Sequence, residues 1–239
     1  MNLTDKNTLT ALFAVGGLSV TEVQYDALSV YADMLCAWNE KINLTAITDP
    51  EGIAEKHFFD SVFPFLSEGL VPKGASLIDV GTGAGFPSCP LKVFRPDVRL
   101  TLLDSLNKRI NFLSELSDTL SLDADCIHGR AEELGRDKTY RECFDIATAR
   151  AVANLSALCE YCLPFVRVGG AFIALKGSDG ENELENAKNA IKILGGKTEL
   201  CKNYTLPSGD GRCLIVIRKL SHTPDKYPRN KGQMTKKPL

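Results

Sequence analysis

A glycine-rich turn between two apolar runs places the tightest constraint on how this chain folds. The run 77–80 leads directly into the glycine turn Gly81-Thr82-Gly83-Ala84-Gly85, and a second run, 98–103, ends in Asp104. Glycines allow a tight turn and a close approach of the backbone to a ligand. The stretch therefore predicts a strand, a turn, a helix and a second strand. Asp104 would lie at the tip of the second strand, where a carboxylate can accept hydrogen bonds from ribose hydroxyls.

The spacing of the glycines and one carboxylate indicate which nucleotide this turn binds. A dinucleotide fingerprint is G-x-G-x-x-G, which admits a pyrophosphate, whereas this turn is G-x-G-x-G and Phe86 takes the place of the last glycine. Asp79 precedes the turn, and its charge would repel a pyrophosphate but attract a cationic amino group. A ribose and an ammonium group without phosphate describe S-adenosylmethionine. We therefore expect this cofactor over the three glycines, between Asp79 and Asp104; a tight turn without a ligand is the alternative.

Strand-like and helix-like patterns alternate after Ala75. The predicted strands are 76–80, 98–103, 124–128, 144–149, 171–175, 197–205 and 212–219, and the last two are joined by a short turn. The alternation predicts an α/β, Rossmann-like fold: a mostly parallel sheet with one antiparallel strand and helices on both faces. Ligands bind beyond the carboxyl ends of such strands. Those ends carry Gly81, Asp104, residues 130–132, Arg150 and Lys176.

The N-terminal region has a helical pattern instead. An apolar stripe recurs at three and four residues from Leu28 to Ile42, and a further helix is predicted over 53–66. Capping boxes are predicted at Thr21 and at Ser178, with Gln24 and Glu181 as their partners. We expect residues 1–72 to form a helical extension packed on the core, 73–220 the cofactor-binding domain and 221–239 a basic tail. Asn43 and His57 are interpreted as structural polar groups.

Charge and cysteine content narrow the possible functions. The 239 residues carry a net charge of −2, but 218–239 hold seven basic residues and one acid, a net charge of +6, so the rest carries −8. A basic tail on an acidic body favours contact with a polyanion, with a merely solvated tail as the alternative. No signal peptide or membrane span is recognisable, and a cytoplasmic location without membrane contact is expected. The only C-x-x-C, Cys159 to Cys162, lacks a second ligand pair and predicts buried thiols on a helix.

Several ordered stretches make the chain resemble the RsmG (GidB) family of class I S-adenosylmethionine-dependent methyltransferases, bacterial enzymes that modify N7 of a guanine in small-subunit ribosomal RNA. The matching stretches are Trp38-Asn39, Asn43-Leu44-Thr45, His57 with Asp60-Ser61, Asp79 to Pro87, Leu103-Asp104-Ser105, Lys108-Arg109, Phe112-Leu113, Gly129 to Glu132, Ala149 to Val152, Lys176-Gly177 and Tyr227-Pro228-Arg229. The chain departs from the family at Ser88-Cys89, where Gly-Ile is usual.

The resemblance implies a site and a substrate. Cofactor contacts are implied at Gly81, Phe86, Ala131, Glu132 and Arg150. The implied partner is 16S ribosomal RNA or the small-subunit particle, and the chain is expected to act as a monomer.

The chemistry of guanine N7 agrees with what the strand ends contain. N7 already has an in-plane lone pair and no proton, so it attacks a methyl group without a general base, and positioning supplies the acceleration. Thr148-Ala149-Arg150 stands where amine methyltransferases have Asp/Asn-Pro-Pro-aromatic, and no Pro-Cys nucleophile follows. Arg150 is therefore the predicted catalytic residue, its fork of donors aimed at guanine O6 or a phosphate.

Other interpretations remain open at this stage. Arg150 could instead form a structural ion pair with Asp145 or Glu132. An NAD-dependent oxidoreductase is disfavoured by Phe86 in the last glycine position. A non-catalytic RNA-binding module would leave the glycine turn and Asp104 unexplained.

Overall fold

The computed structural model describes residues 2–150 and 153–239; Ala151 and Val152, the end of one matching stretch, lie outside this part. The helices are α1 (Lys6–Val15), α2 (Glu22–Asn39), α3 (Pro50–Gly52), α4 (Asp60–Ser67), α5 (Ser88–Phe94), α6 (Asn107–Leu120), α7 (Ala131–Leu134), α8 (Leu155–Cys162), α9 (Gly180–Ile193) and α10 (Lys231–Lys236). A π-helical segment, Ile53–Phe59, runs into α4, and a 3-10 turn, Leu163–Phe165, follows α8. The strands are β1 (Ser76–Val80), β2 (Arg99–Asp104), β3 (Ala124–His128), β4 (Phe144–Arg150), β5 (Val166–Gly177), β6 (Gly196–Thr205) and β7 (Gly211–Lys219).

The seven strands form one sheet in the order β3-β2-β1-β4-β5-β7-β6. The pairs from β3 through β5 are parallel, and β7 runs antiparallel to both of its neighbours. The predicted Rossmann-like sheet with one antiparallel strand is therefore confirmed. Strand order reverses at β1, which lies between β2 and β4, and such a switch point opens a crevice at the carboxyl ends of the strands. The glycine turn follows β1 into that crevice.

One local prediction is wrong, at the start of α9. Helix α9 begins at Gly180 with Asp179 as its N-cap, rather than with the predicted capping box at Ser178. A Cβ at position 180 would lie 2.4 Å from the Cβ of Cys213, so the approach of β7 selects glycine there. The helix predicted over 53–66 is confirmed; it begins as a π-helix and becomes a regular α-helix at Asp60. The other capping box, Thr21 with Gln24, is present.

The N-terminal helices share a hydrophobic core with one face of the sheet. Phe13 stacks on Phe94 with ring centres 5.3 Å apart, and Tyr31 stacks on Phe86 at 5.4 Å. Because these rings join the helices to the elements around the glycine turn, residues 1–72 help to shape the cofactor region. The division into extension, core and tail stays a prediction.

The segment after β7 is docked on the opposite face. Tyr227 and Met234 are buried, and Tyr227 belongs to the second core cluster with α8 and α9. Three of the seven basic residues counted in the tail are ion-paired: Arg218 with Glu199, Lys219 with Glu142 and Arg229 with Glu160. Four lysines, at 226, 231, 236 and 237, are exposed. Within the described residues no helix is both long and apolar enough to cross a membrane.

Candidate active site

The glycine turn is tied to the end of β2. The backbone N–H groups of Gly81 and Thr82 donate to the carbonyl of Leu103 at 2.8 and 3.1 Å. The N–H of Gly83 donates to Oδ2 of Asp104 at 3.0 Å. Gly81 and Gly83 both have positive φ, 72° and 64°, which a side chain would strain. The turn and Asp104 are thus one preorganised unit.

The third glycine has a different role from the one predicted. A Cβ at Gly85 would lie 2.6 Å from the hydroxyl of Tyr31 and 2.7 Å from Sγ of Cys89. The Tyr31 hydroxyl donates to the carbonyl of Ala84. Gly85 therefore admits helix α2 against the turn, whereas a Cβ at Gly83 would meet no atom within 4 Å and would point into open space.

Two cavities meet at the end of β1 and β2. The first, of about 390 Å³, is lined by Ala131 and Glu132, by α8 and by the C-terminal segment. The second, of about 360 Å³, is lined by Gly83, Phe86 and Arg150. Both include Gly81 and Asp104 in their walls, and each has the size of a small-molecule site. Seven of the eight predicted site residues therefore line one connected crevice.

Asp104 sits at the junction of the two cavities with only 2% of its surface exposed. Its Oδ1 accepts from the N–H of Leu106 at 2.9 Å, and its Oδ2 accepts from Gly83 and from Arg109 Nη1 at 3.2 Å. A carboxylate has about four lone-pair sites, so one remains on Oδ1 for a further donor. That capacity fits a ribose hydroxyl, and the contact stays a prediction.

Asp79 is the predicted residue that, among the described residues, lines neither cavity. It is fully buried beneath the turn, and its Oδ2 accepts from the Thr82 hydroxyl at 2.9 Å. Its Oδ1 has no hydrogen-bond partner within the described chain. Burial raises the pKa of Asp79 to about 7, against the lowering effect of nearby polar groups of Ser88 and Thr82. An unsatisfied acidic oxygen under this turn fits a cationic cofactor rather than a pyrophosphate.

Arg150, at the end of β4, is held by the N-terminal extension. Its Nη1 donates to the carbonyl of Lys56 at 3.1 Å and to the Ser61 hydroxyl at 3.4 Å. The guanidinium carbon lies 4.9 Å from the centre of the Phe86 ring. The alternative partners proposed for Arg150 are engaged elsewhere, Asp145 with Arg167 at 2.7 Å and Glu132 with Arg130 at 3.8 Å.

His57 lies beside Arg150 and lines the second cavity. Its ring stacks on Phe86 with centres 4.3 Å apart, its Nε2 is 2.8 Å from the Thr45 hydroxyl, and its Nδ1 faces Arg150 Nη2 at 3.5 Å. Because arginine only donates, Nδ1 carries the lone pair and Nε2 carries the proton. Burial, followed by the positive charge of Arg150, lowers the pKa of His57 to about 3. The ring is therefore neutral.

A buried polar network continues behind Arg150. Asp60 accepts from the Tyr204 hydroxyl at 2.8 Å and from Arg212 Nε at 2.9 Å, and its Oδ2 lies 3.9 Å from Arg150 Nη1. A further cavity of about 350 Å³ is lined by Asp60, Arg150 and Arg212, together with Lys176. Arg212 was missed from the sequence because it comes from β7, 152 positions from Asp60. The sequence contained one signal of this network: Asp60 follows the apolar Phe59 and precedes Ser61 and Val62, and a carboxylate in such a helix needs a buried partner.

Comparison with known proteins places the chain in a family. The GidB family, described as rRNA small subunit methyltransferase G, matches residues 24–208. A protein of Alkaliphilus metalliredigens named ribosomal RNA small subunit methyltransferase G is 52% identical over 225 residues, covering 93% of this chain and 94% of the relative. The chain belongs to the rRNA small subunit methyltransferase G family.

Further relatives and solved structures agree. The rRNA small subunit methyltransferase G protein of Streptococcus thermophilus (strain CNRZ 1066) is 49% identical, covering 93% of this chain and 94% of the relative. The protein of the same name from Streptococcus sanguinis (strain SK36) is 46% identical, covering 95% of this chain and 97% of the relative. An O-methyltransferase from Bacillus cereus, solved in complex with SAH, has a TM-score of 0.58 at 16% identity, covering 89% of this chain and 99% of its own. A precorrin-6y C5,15-methyltransferase from Geobacter metallireducens has a TM-score of 0.51 at 14% identity, covering 74% and 91%.

Three expectations are thereby confirmed: the family, the methyltransferase class and S-adenosylmethionine as the cofactor. The two solved structures are too distant in sequence to show more than the fold. The individual site residues of this chain remain predictions, supported by the geometry of the crevice.

Proposed function

We propose that this rRNA small subunit methyltransferase G family member transfers the methyl group of S-adenosylmethionine to N7 of a guanine in 16S ribosomal RNA. The observation that carries the proposal is the position of Arg150, whose guanidinium lies over Phe86 beside the glycine turn. The guanidinium carbon lies 4.9 Å from the centre of the ring, and Arg150 lines the second cavity. A fork fixed in this way suits the O6 and N7 edge of a guanine.

The donor would occupy the crevice between the two cavities. When bound, S-adenosylmethionine supplies an electrophilic methyl group on a sulfonium. Asp104 would accept from a ribose hydroxyl, and Ala131 and Glu132 would border the base. Gly83, which has open space at its Cβ position, would let the backbone reach the donor. Asp79 would attract the amino group through a short path of low dielectric.

The protonation state of the site supports an acceptor that is already nucleophilic. His57 is the histidine nearest to Arg150, and a ring with a pKa of about 3 is a poor proton acceptor at neutral pH. Guanine N7 needs no proton removed. Positioning alone is worth roughly 7–11 kcal/mol when two reactants are well oriented. The chain would therefore act by orienting the guanine and excluding water.

The RNA backbone would follow the basic groups around this crevice. Lys56, Lys176 and Arg212 line the cavity next to Arg150. Their positive charges are partly matched by Asp60 and Glu183, with Lys176 Nζ 2.8 Å from Glu183. The four exposed lysines of the tail extend the basic surface, because phosphate contacts supply most of the affinity for nucleic acid. The substrate would be 16S rRNA or a small-subunit particle, and the active species would be a monomer.

The target atom is tested by the chemistry of the product. N7-methylated guanine makes RNA cleavable by borohydride and aniline, so rRNA incubated with the protein and labelled S-adenosylmethionine should break at the labelled guanine. Incubation without the protein is the control. Labelled RNA that resists cleavage would rule out N7, and a protein that binds S-adenosylmethionine and RNA but transfers no label would indicate the RNA-binding alternative.

A further inference from the structure

The C-terminal segment forms the outer wall of the first cavity. Lys231, Met234 and Thr235 of α10 line it, together with Pro238 and Leu239. Met234 is 4% exposed although it belongs to a six-residue helix at the surface. Leu239 packs against the core cluster beneath α8 and α9. Met234 therefore lines the first cavity from a short helix, and this helix would contact any ligand that occupies the cavity.

Arg229 holds this wall to the opposite side of the same cavity. Its Nε and Nη2 donate to Glu160 at 2.8 and 2.6 Å, and its backbone N–H donates to Glu160 Oε1 at 2.7 Å. Its remaining Nη1 donates to the carbonyl of Lys237 at 2.8 Å. Glu160 is 1% exposed and itself lines the cavity. One arginine therefore joins α8, the loop before α10 and the end of α10.

The chain leading into this segment is also restrained. Arg141 Nη1 donates to the carbonyl of Tyr227 at 2.9 Å, and Arg136 Nε donates to the carbonyl of Pro228 at 2.8 Å. These bonds hold the segment up to Arg229 independently of residues 230–239. The last ten residues can thus be removed or released while their anchor stays in place.

The order of groups along the crevice indicates which part of the donor meets the wall. Of the two cavities that share Asp104, Arg150 and Phe86 line the second, where methyl transfer is proposed, and not the first. Asp104, the proposed ribose contact, stands between the two cavities. The flat, aromatic base would then lie in the first cavity, between Ala131 and Met234. A thioether side chain suits this contact, because sulfur packs favourably against aromatic rings.

We infer that residues 230–239 are part of the donor site: Met234 and Leu239 cover the adenine end of S-adenosylmethionine, and donor binding and docking of the segment stabilise each other. The inference rests on the proposed donor position. A ligand that binds more tightly when the segment is docked than when it is released must, by thermodynamic linkage, also favour the docked form. The basic lysines of this segment would then reach RNA from a wall that the donor holds in place.

Calorimetry with S-adenosylhomocysteine tests the inference on the full chain and three variants. Met234→Ala and a chain ending at Arg229 should bind about tenfold more weakly, because apolar contact with the base is lost. Gln233→Ala, which changes an exposed neighbour on the same helix, is the matched control and should bind within about twofold of the parent. Thermal unfolding shows whether the shortened chain folds; if it does not, Met234→Ala decides.

Limited trypsin digestion gives a second measurement that needs no variant. Trypsin cleaves after the exposed Lys231 and Lys236, and S-adenosylhomocysteine should slow this cleavage several-fold on the parent chain. Equal cleavage rates with and without the ligand, or Met234→Ala binding as tightly as the parent, would overturn the inference. A parent chain that does not bind S-adenosylhomocysteine would instead refute the proposed function.

Discussion

Arg150 lies over the ring of Phe86, 4.9 Å from its centre, and so connects the end of β4 to the residue that closes the glycine turn. His57 stacks on the same ring at an interplanar angle of 15°, and Tyr31 at 11°. The Phe86 ring thus contacts both the N-terminal extension and the end of β4. The orientation of Arg150 depends on all of these.

Arg150→Lys should lower kcat/KM for methyl transfer by about 10- to 100-fold, because a point charge cannot reproduce a bidentate fork worth roughly 1–3 kcal/mol. Donor affinity should change little. Arg167→Lys alters an exposed arginine on β5 and is the matched control. The rate is measured by label transfer to rRNA. A parent-like rate for Arg150→Lys would show that the fork of Arg150 has no catalytic role.

His57 should make the fold sensitive to acid. Its folded pKa of about 3 lies below its usual 6.5, so the unfolded chain binds the proton first. The contribution of the neutral ring is complete above pH 6.5 and is lost as the pH falls toward about 3. Relative to His57→Gln, the parent should lose up to about 1.4 kcal/mol of unfolding free energy per pH unit below about pH 5.5. Urea unfolding at several pH values measures this, with exposed His128→Gln as control; parallel profiles for parent and His57→Gln would contradict it.

Asp79 should make the fold less stable as the pH rises, which is the opposite of the effect of His57. Its folded pKa of about 7 lies above its usual 3.8, so the ionised carboxylate destabilises the fold fully above pH 7 and not at all well below 3.8. Asp79→Asn should therefore raise the free energy of unfolding at pH 8 by about 1–3 kcal/mol. The same change should weaken donor binding about tenfold, since the buried charge attracts the amino group.

Chemical unfolding and calorimetry on one preparation measure both effects of Asp79→Asn. Exposed Asp125→Asn is the control for a change of net charge. Unaltered donor affinity in a more stable variant would show that Asp79 serves the turn and not the cofactor.

The Arg229–Glu160 pair should matter more to stability than an exposed pair of the same type. Arg229→Gln leaves the buried Glu160 without its partner and should cost about 3 kcal/mol. Adding Glu160→Gln should recover part of that loss. Arg218→Gln, whose partner Glu199 is 46% exposed, should cost less than about 1 kcal/mol. Equal losses for Arg229→Gln and Arg218→Gln in urea titrations would argue against a specific anchor.

The exposed tail lysines should bind RNA phosphates. Replacing Lys236 and Lys237 by Ala should weaken RNA binding at all sequences and reduce the salt slope by about one per lost phosphate contact. Replacing Lys188 and Lys192 on α9 removes the same charge from another exposed helix and is the matched control. The affinity is measured at several salt concentrations, and identical slopes for the two double variants would mean that the tail is only solvated.

The strands, their mostly parallel arrangement and much of the crevice could be predicted because they depend on local signals. Short apolar runs bounded by glycines become buried strands, and a parallel sheet brings their carboxyl ends to one edge. Gly81, Asp104, Ala131 and Arg150 each end or follow such a run, so their convergence follows from topology. The spacing of the glycines also disfavoured a pyrophosphate turn without any knowledge of packing.

Only the tertiary structure decided which groups these residues touch. Gly85 makes room for Tyr31, 54 positions away, and Gly180 for Cys213, whose approach outweighs the capping box predicted at Ser178. The hydrogen-bond partners of Asp60 come from β6 and β7, and Arg229 pairs with the buried Glu160. Sequence periodicity predicts whether one element is a helix or a strand and which of its faces is buried. Contacts between distant elements depend on the shape of both surfaces, which no local pattern contains.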